Sequence, residues 1–123
     1  MNRKHLGQVA EALAVEYLTT QGYEIIDRNW RCRQGEVDII VRSGSTLVFV
    51  EVRSASTAFL AGADASVTLT KQRRVCMAAD LWLSRNESAQ KDVQFDVIAV
   101  SHGKDNPPSL QHYEDAFTSP WAI

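Results

Sequence analysis

The sequence predicts an α/β (α+β) chain whose mixed central sheet is flanked by helices, in the order α-β-β-β-α-β with a short further strand. Three patterns carry this reading. Apolar residues recur at helical spacing near the N-terminus. Two strand-like stretches alternate around a Ser-Gly-Ser turn. A continuous apolar run then follows a second helical segment.

Leu6, Val9, Ala10, Leu13, Ala14, Tyr17 and Leu18 mark one face of a helix over residues 5–21, and Gly22 stands where a left-handed residue closes a helix. Residues 23–31 have the β-branched and aromatic content of a strand, and Gln34-Gly35 forms a turn. Residues 36–42 set Val37, Ile39 and Val41 against Glu36, Asp38 and Ile40. After the turn at Ser43-Gly44-Ser45, residues 47–53 set Leu47, Phe49, Glu51 and Arg53 against Val48, Val50 and Val52. Residues 54–69, rich in Ala, Ser and Thr, read as a connection. Thr70 is the expected N-cap of a helix reaching Arg85, with Val75, Ala78, Ala79, Trp82 and Leu83 on its buried side. Residues 87–92 form a polar loop. Residues 93–100 are apolar enough to be buried on both faces, which places this strand centrally or beside a parallel neighbour. Residues 103–109, holding Pro107-Pro108, form a turn, and residues 110–117 a short edge strand.

The 123 residues suit a single domain, 1–123, with residues 118–123 as a tail. Hydrophobic residues at 45% and charged residues at 23% exclude a disordered or coiled-coil chain. No apolar stretch approaches the roughly 20 residues that span a bilayer. Gln8, Glu11 and Glu16 interrupt the N-terminal region where a secretory signal would be apolar. The expectation is a cytoplasmic protein with no membrane partner. Cys32 and Cys76 form no CxxC pair and have no nearby His at ligand spacing, so two free thiols are expected rather than a zinc site. The net charge of −2 argues against a generic, histone-like DNA binder. The charge is uneven, however: residues 1–86 carry 11 Lys/Arg against 9 Asp/Glu, and residues 87–123 carry 2 against 6. A local basic face is therefore compatible with the composition.

Most of the chemical information lies in the hairpin 36–53. A turn over residues 43–46 sets Arg42 opposite Leu47, Asp38 opposite Glu51 and Glu36 opposite Arg53, all four polar groups on one face. Opposed Cβ atoms lie roughly 4.5–5.5 Å apart. Two carboxylates that close repel unless one is protonated or a cation lies between them. A hard divalent ion such as Mg²⁺ or Mn²⁺ suits such a pair, and can activate water and neutralise charge on a phosphodiester. Taken alone, the hairpin also reads as a solvated polar face with Glu36–Arg53 an ordinary surface pair. Acidic residues interrupting unusually apolar strands favour the chemical reading. Arg28, Arg31 and Arg33 surround Trp30 at the entry to the hairpin, and Lys71, Arg73 and Arg74 fill the first turn of the second helix. Cations there oppose the helix dipole, yet with the free backbone amides they suit a phosphate. Trp82 reads as core; Trp30 reads either as core or as a base-stacking platform.

Asp38 followed, after a hairpin, by Glu51-Val52-Arg53 resembles the PD-(D/E)xK nuclease signature, with Arg53 where lysine is usual. The chain as a whole resembles the YraN family of small bacterial proteins, from about residue 5 to 118. The matching pieces are Gly7 and Glu11, Gly22-Tyr23, Arg28-Asn29-Trp30-Arg31, Gly35-Glu36-Val37-Asp38-Ile39-Ile40 and Phe49-Val50-Glu51-Val52-Arg53. Lys71, Arg74, Phe95-Asp96-Val97-Ile98 and Ala116-Phe117 complete the match. The resemblance implies a restriction-endonuclease-like, Holliday-junction-resolvase-like fold. It makes Asp38 and Glu51 metal-binding carboxylates, adds the Val52 carbonyl as a third ligand, and makes Glu11 a group acting through a metal-bound water. An exposed helix charge is the alternative for Glu11. Arg53 takes the place of a lysine that orients the attacking water and stabilises the phosphate. Arginine keeps the charge but cannot lose a proton near neutral pH, so Arg53 is excluded as a base. Ala55 replaces a basic residue and Ala10 a glycine of the family pattern, and the first removes a phosphate-binding cation. Arg31, Lys71 and Arg74 are the expected DNA contacts, Mg²⁺ or Mn²⁺ the expected cofactor, and a homodimer the expected assembly. A metal-dependent DNA endonuclease acting on branched or damaged DNA is the first reading. A catalytically impaired module that binds nucleic-acid structure is the alternative, and a scaffold using its sheet edge or acidic C-terminal segment is a third.

Overall fold

Helix α1 spans Arg3–Thr20 and buries Ala10, Ala14 and Leu18 against the sheet. It ends as Gly22 predicts. Gly22 adopts φ 94°, its N–H donates to the Thr19 carbonyl, and the Tyr23 N–H donates back to Leu18, each at 3.0 Å. This is a Schellman closure, in which a left-handed residue lets the chain reverse onto its last carbonyls. The computed structural model describes residues 3–56, 67–86, 92–102 and 107–119.

Among the described residues the remaining elements are β1 (Glu24–Arg31), β2 (Glu36–Ser43), β3 (Thr46–Ser56), α2 (Leu69–Asn86), β4 (Asp92–His102) and β5 (Ser109–Phe117). They form a five-stranded mixed sheet in the order β1-β2-β3-β4-β5, with a helix on each face, consistent with a restriction-endonuclease-like fold. Among the described strands, β3 and β4 are the parallel pair, from Thr46↔Asp92 to Ser56↔His102, as a crossover through α2 requires. The apolar strand near residues 93–100 is therefore central and beside a parallel neighbour, and β5 lies at the edge. Strand β3 continues through Ser56, so residues 54–56 belong to the sheet rather than to the expected connection. Most of that connection, most of the expected 87–92 loop, the start of the 103–109 turn and the end of the tail lie outside the described residues. The second helix starts earlier than Thr70. Thr68 caps it, its Oγ1 accepting the Lys71 N–H at 3.1 Å.

On the α1 side, Ile39, Val41, Val48, Val50, Ile98 and Val100 form one core with the helix. On the α2 side, Phe49 meets Trp82 edge-on and stacks on Phe95, which stacks on Phe117. Each such fully buried side chain contributes about 1.5–3 kcal/mol. Trp82 is core as expected, and Trp30 packs half-buried on the same cluster with Arg85 over its ring. Cys32 and Cys76 are free thiols.

Two polar devices complete the fold. Gly35 is buried where the β1–β2 turn rests on α2, and a Cβ there would lie 2.0 Å from the Arg74 carbonyl oxygen. Close approach, not a positive φ, requires glycine. On β4, fully buried Asp96 accepts from the Gln94 amide and the Asp115 N–H through Oδ1, each at 2.9 Å. Its Oδ2 lies 2.7 Å from His112 Nε2, and His112 Nδ1 lies 3.0 Å from the Tyr17 hydroxyl. Asp96 thereby holds the β5 irregularity, where Asp115 has φ 53°, and fastens β5 to α1. Among the described residues, no helix is long and apolar enough to cross a membrane.

Candidate metal centre

The site forms where β2 parts from β3. The β2–β3 ladder runs from Ser43↔Thr46 to Ile39↔Val50, the register expected from the turn, and ends there. The β1–β2 ladder continues to Arg31↔Glu36. At this end β2 therefore stays with β1 and opens a wedge from β3. Asp38 fills the wedge: its Oδ2 accepts the Val52 N–H at 2.8 Å in place of a ladder bond. The alternation of β2 breaks beside it, because Val37 and Ile40 join the α2-side core while Ile39 and Val41 join the α1-side core. The strict two-residue pattern read from the sequence does not hold at Asp38. Glu36 likewise does not oppose Arg53. It pairs across to Arg31, with Arg31 Nε 3.1 Å from Glu36 Oε2.

Glu51 is brought in by β3, with 3% of its side chain exposed. Lys71, on the first turn of α2, places Nζ 2.9 Å from Glu51 Oε1, whereas Oε2 is buried without a hydrogen-bond partner. Burial and then the charge of Asp38 push the Glu51 carboxyl up to about 8. Burial also raises Asp38, against the Val52 N–H and the Lys71 charge, with Glu11 and Glu36 adding to the rise. Burial works to lower Lys71, but the charge and hydrogen bond of Glu51 outweigh it and hold the ammonium above its ordinary range. The site is thus short of positive charge. A donor-less buried carboxylate oxygen beside a second raised carboxyl fits a hard divalent cation.

Glu11 is not an exposed helix charge. Its side chain is 12% exposed, and Oε1 accepts Asn29 Nδ2 at 2.8 Å and Arg28 Nη2 at 3.2 Å. Glu11, Arg28, Asn29, Arg31 and Asp38 line a cavity of about 460 Å³. Glu51, Arg53, Thr68 and Lys71 line a smaller cavity of about 270 Å³. Val52 and Ser54 border both, so the cavities meet along β3 rather than forming the single polar face expected. Arg74 lines neither; its carbonyl backs Gly35. Asn29 lies in the Arg28-Asn29-Trp30-Arg31 motif, but its φ of 53° is a local conformation no pattern signals, and the sequence offered no route to Thr68 as the cap behind Lys71.

The family profile described as "Uncharacterised protein family UPF0102" matches residues 10–100 of this chain. The chain belongs to the UPF0102 family. This is the YraN-like group that the motifs resemble. A UPF0102 protein of Geotalea uraniireducens is 42% identical over 116 residues, covering 94% of this chain and 91% of that one. A UPF0102 protein of Geobacter sulfurreducens is 45% identical over 116 residues, with 94% and 91% covered. A third, from Rhodococcus opacus, is 45% identical over 112 residues, covering 91% of this chain and 95% of its own. Every carboxylate and cation placed at the site lies within the span matched by the UPF0102 profile.

Proposed function

We propose that this UPF0102 chain is a metal-dependent DNA endonuclease that hydrolyses phosphodiester bonds, acting on branched or damaged DNA. The observation that carries the reading is Glu51 Oε2, buried without a hydrogen-bond donor beside Asp38. Asp38, Glu51 and the Val52 carbonyl are the proposed ligands of Mg²⁺ or Mn²⁺. When bound, the ion supplies a water of lowered pKa and neutralises developing phosphate charge.

The protein's own groups do the rest. Glu11, held by Arg28 and Asn29, faces the larger cavity and orients the attacking water through an accepted hydrogen bond. Arg53 stays protonated and offers paired N–H donors to a phosphate, so it stabilises charge and does not abstract a proton. Lys71 adds a second cation beside Glu51. Arg31 at the cavity and Arg74 on α2 are assigned to flanking phosphates. The resolvase resemblance extends the proposal to a homodimer.

Arg53 in place of lysine favours one rival, a nuclease-fold module that binds nucleic-acid structure without cutting it. The deciding experiment is cleavage of linear, nicked, flapped and four-way-junction DNA with Mn²⁺, Mg²⁺ or EDTA. The expected result is cutting that EDTA, Asp38→Ala and Glu51→Ala each abolish. No cutting of any substrate, together with metal-independent binding that falls steeply with salt, overturns the enzyme reading in favour of the module.

A further inference from the structure

Asn29 sits in the middle of edge strand β1 with φ 53°, a left-handed conformation uncommon for any residue but glycine. Strands do not require it, and an outlier of this kind is kept where the surroundings over-determine it. Its position says what those surroundings are. Asn29 falls between the pairs Arg28↔Ile39 and Trp30↔Val37, which places it across from Asp38. Asp38 is also where the alternation of β2 breaks. Both strands are therefore distorted at one rung. The side chain leaving that rung reaches α1, where Asn29 Nδ2 donates to Glu11 Oε1 at 2.8 Å. Arg28, the preceding residue, donates to the same oxygen from Nη2 at 3.2 Å and from Nε at 3.4 Å. Arg28 balances the charge of Glu11 on a long, half-exposed side chain. The short Asn29 amide, the closest donor to that oxygen, sets its direction.

We infer that Asn29 is a positioning residue of the carboxylate site: its left-handed turn aims Nδ2 at Glu11 and fixes that carboxylate over the cavity shared with Asp38. The inference rests on the metal-dependent reading and adds a residue to it. Outer-shell partners of a metal site typically change its affinity or activity about 10–100-fold when removed, and Glu11, which acts through a bound water, is such a partner with Asn29 behind it.

Glycine at position 29 separates the two reasons for a left-handed residue. Asn29→Gly relieves the backbone and deletes the donor. Asn29→Asp keeps the shape and the tolerance of positive φ, but sets a negative charge against Glu11. The measurements are Mn²⁺ affinity by titration calorimetry and by the electron paramagnetic resonance of free Mn²⁺, with thermal unfolding alongside. Asn29→Gly is expected to melt within a few degrees of the wild type, relief of the positive φ offsetting part of the lost donor, while binding Mn²⁺ about 10-fold more weakly. Asn29→Asp is expected to bind more weakly still. In a Glu11→Gln background, Asn29→Gly should add less than about 2-fold, because both changes remove one coupled unit. Wild-type affinity in Asn29→Gly, or effects that multiply in the double variant, overturns the assignment while leaving the metal site standing. Mn²⁺ binding that Asp38→Asn does not diminish overturns the metal reading, and the role of Asn29 with it.

Discussion

Lys71 Nζ lies 2.9 Å from Glu51 Oε1, joining the first turn of α2 to a carboxylate buried in the central sheet. The pair is one-sided. Glu51 loses nearly all contact with water, Lys71 keeps about half of its own, and the second Glu51 oxygen has no donor. Removing charges from water is repaid only when the remaining lone pairs are also satisfied. Here they are not, and the carboxyl takes up a proton instead.

The first consequence is a stability that falls with rising pH in metal-free protein. Glu51 titrates at about 8 in the folded chain, against an ordinary value of 4.5. Between those limits the folded state binds a proton that the unfolded state has released, so the slope of stability against pH is negative. In EDTA, the melting temperature of the wild type relative to Glu51→Gln should drop by several degrees between pH 5 and pH 8.5, at roughly 4 °C per kcal/mol for a domain near this size. The difference between the two proteins isolates Glu51 from the surface carboxylates, which titrate in both. A difference that is flat or rises with pH would contradict the raised carboxyl.

A divalent cation should reverse that trend. An ion that binds the folded chain alone at 100 times its dissociation constant stabilises by about 2.7 kcal/mol. Mn²⁺ or Mg²⁺ should raise the melting temperature more at pH 8 than at pH 6, since ligand carboxyls must be deprotonated. EDTA should return it to the starting value. Asp38→Asn should fold and show no such response. A rise of equal size in Asp38→Asn would place the ion elsewhere.

The sequence exposed the elements whose patterns are periodic and long. The α1 face, the β2–β3 register and the central strand β4 all follow from apolar spacing, and all are present. The same spacing failed at Asp38. Alternation describes a strand with two regular neighbours, and β2 loses one of its neighbours there. Turn spacing alone sets Glu36 opposite Arg53, but that requires a ladder continuing past Ile39↔Val50, where it stops. The carboxylates were legible because acids stand out in apolar strands. Their supports were less so: Asn29 and Thr68 act through a dihedral angle and a cap, and Lys71, legible as a DNA contact, reaches Glu51 from another element.

Gly35 tests how closely α2 must lie on the turn before β2. An added Cβ would sit 2.0 Å from the Arg74 carbonyl oxygen and 2.7 Å from its carbon, both backbone atoms that cannot rotate away. Either the turn or the helix must move. Gly35→Ala should cost about 3 kcal/mol in urea unfolding, the upper range for overpacked sites. Because Lys71 lies on the same helix one turn before Arg74, the shift should also loosen its pair with Glu51. Wild-type stability in this variant would mean that the contact is not held in solution.

Asp96 offers the sharpest test of the polar network that holds β5. Its carboxylate accepts from the Asp115 N–H, the Gln94 amide and His112 Nε2, and is fully buried. Asp96→Ala deletes the acceptor of all three at once. Leaving a buried hydrogen-bonding group such as His112 without its partner costs about 1–3 kcal/mol, and more where several bonds are lost at once. Asp96→Asn keeps one carbonyl oxygen for the Asp115 N–H, but its amide nitrogen cannot accept. It should cost about half as much, the scale of one unsatisfied buried group. The loss should appear first as faster amide exchange in β5, since that edge strand rests on the network at its irregular rung. If exchange in β5 is unchanged while global stability falls, Asp96 supports the core through β4 alone, and His112 and Tyr17 are bystanders to it.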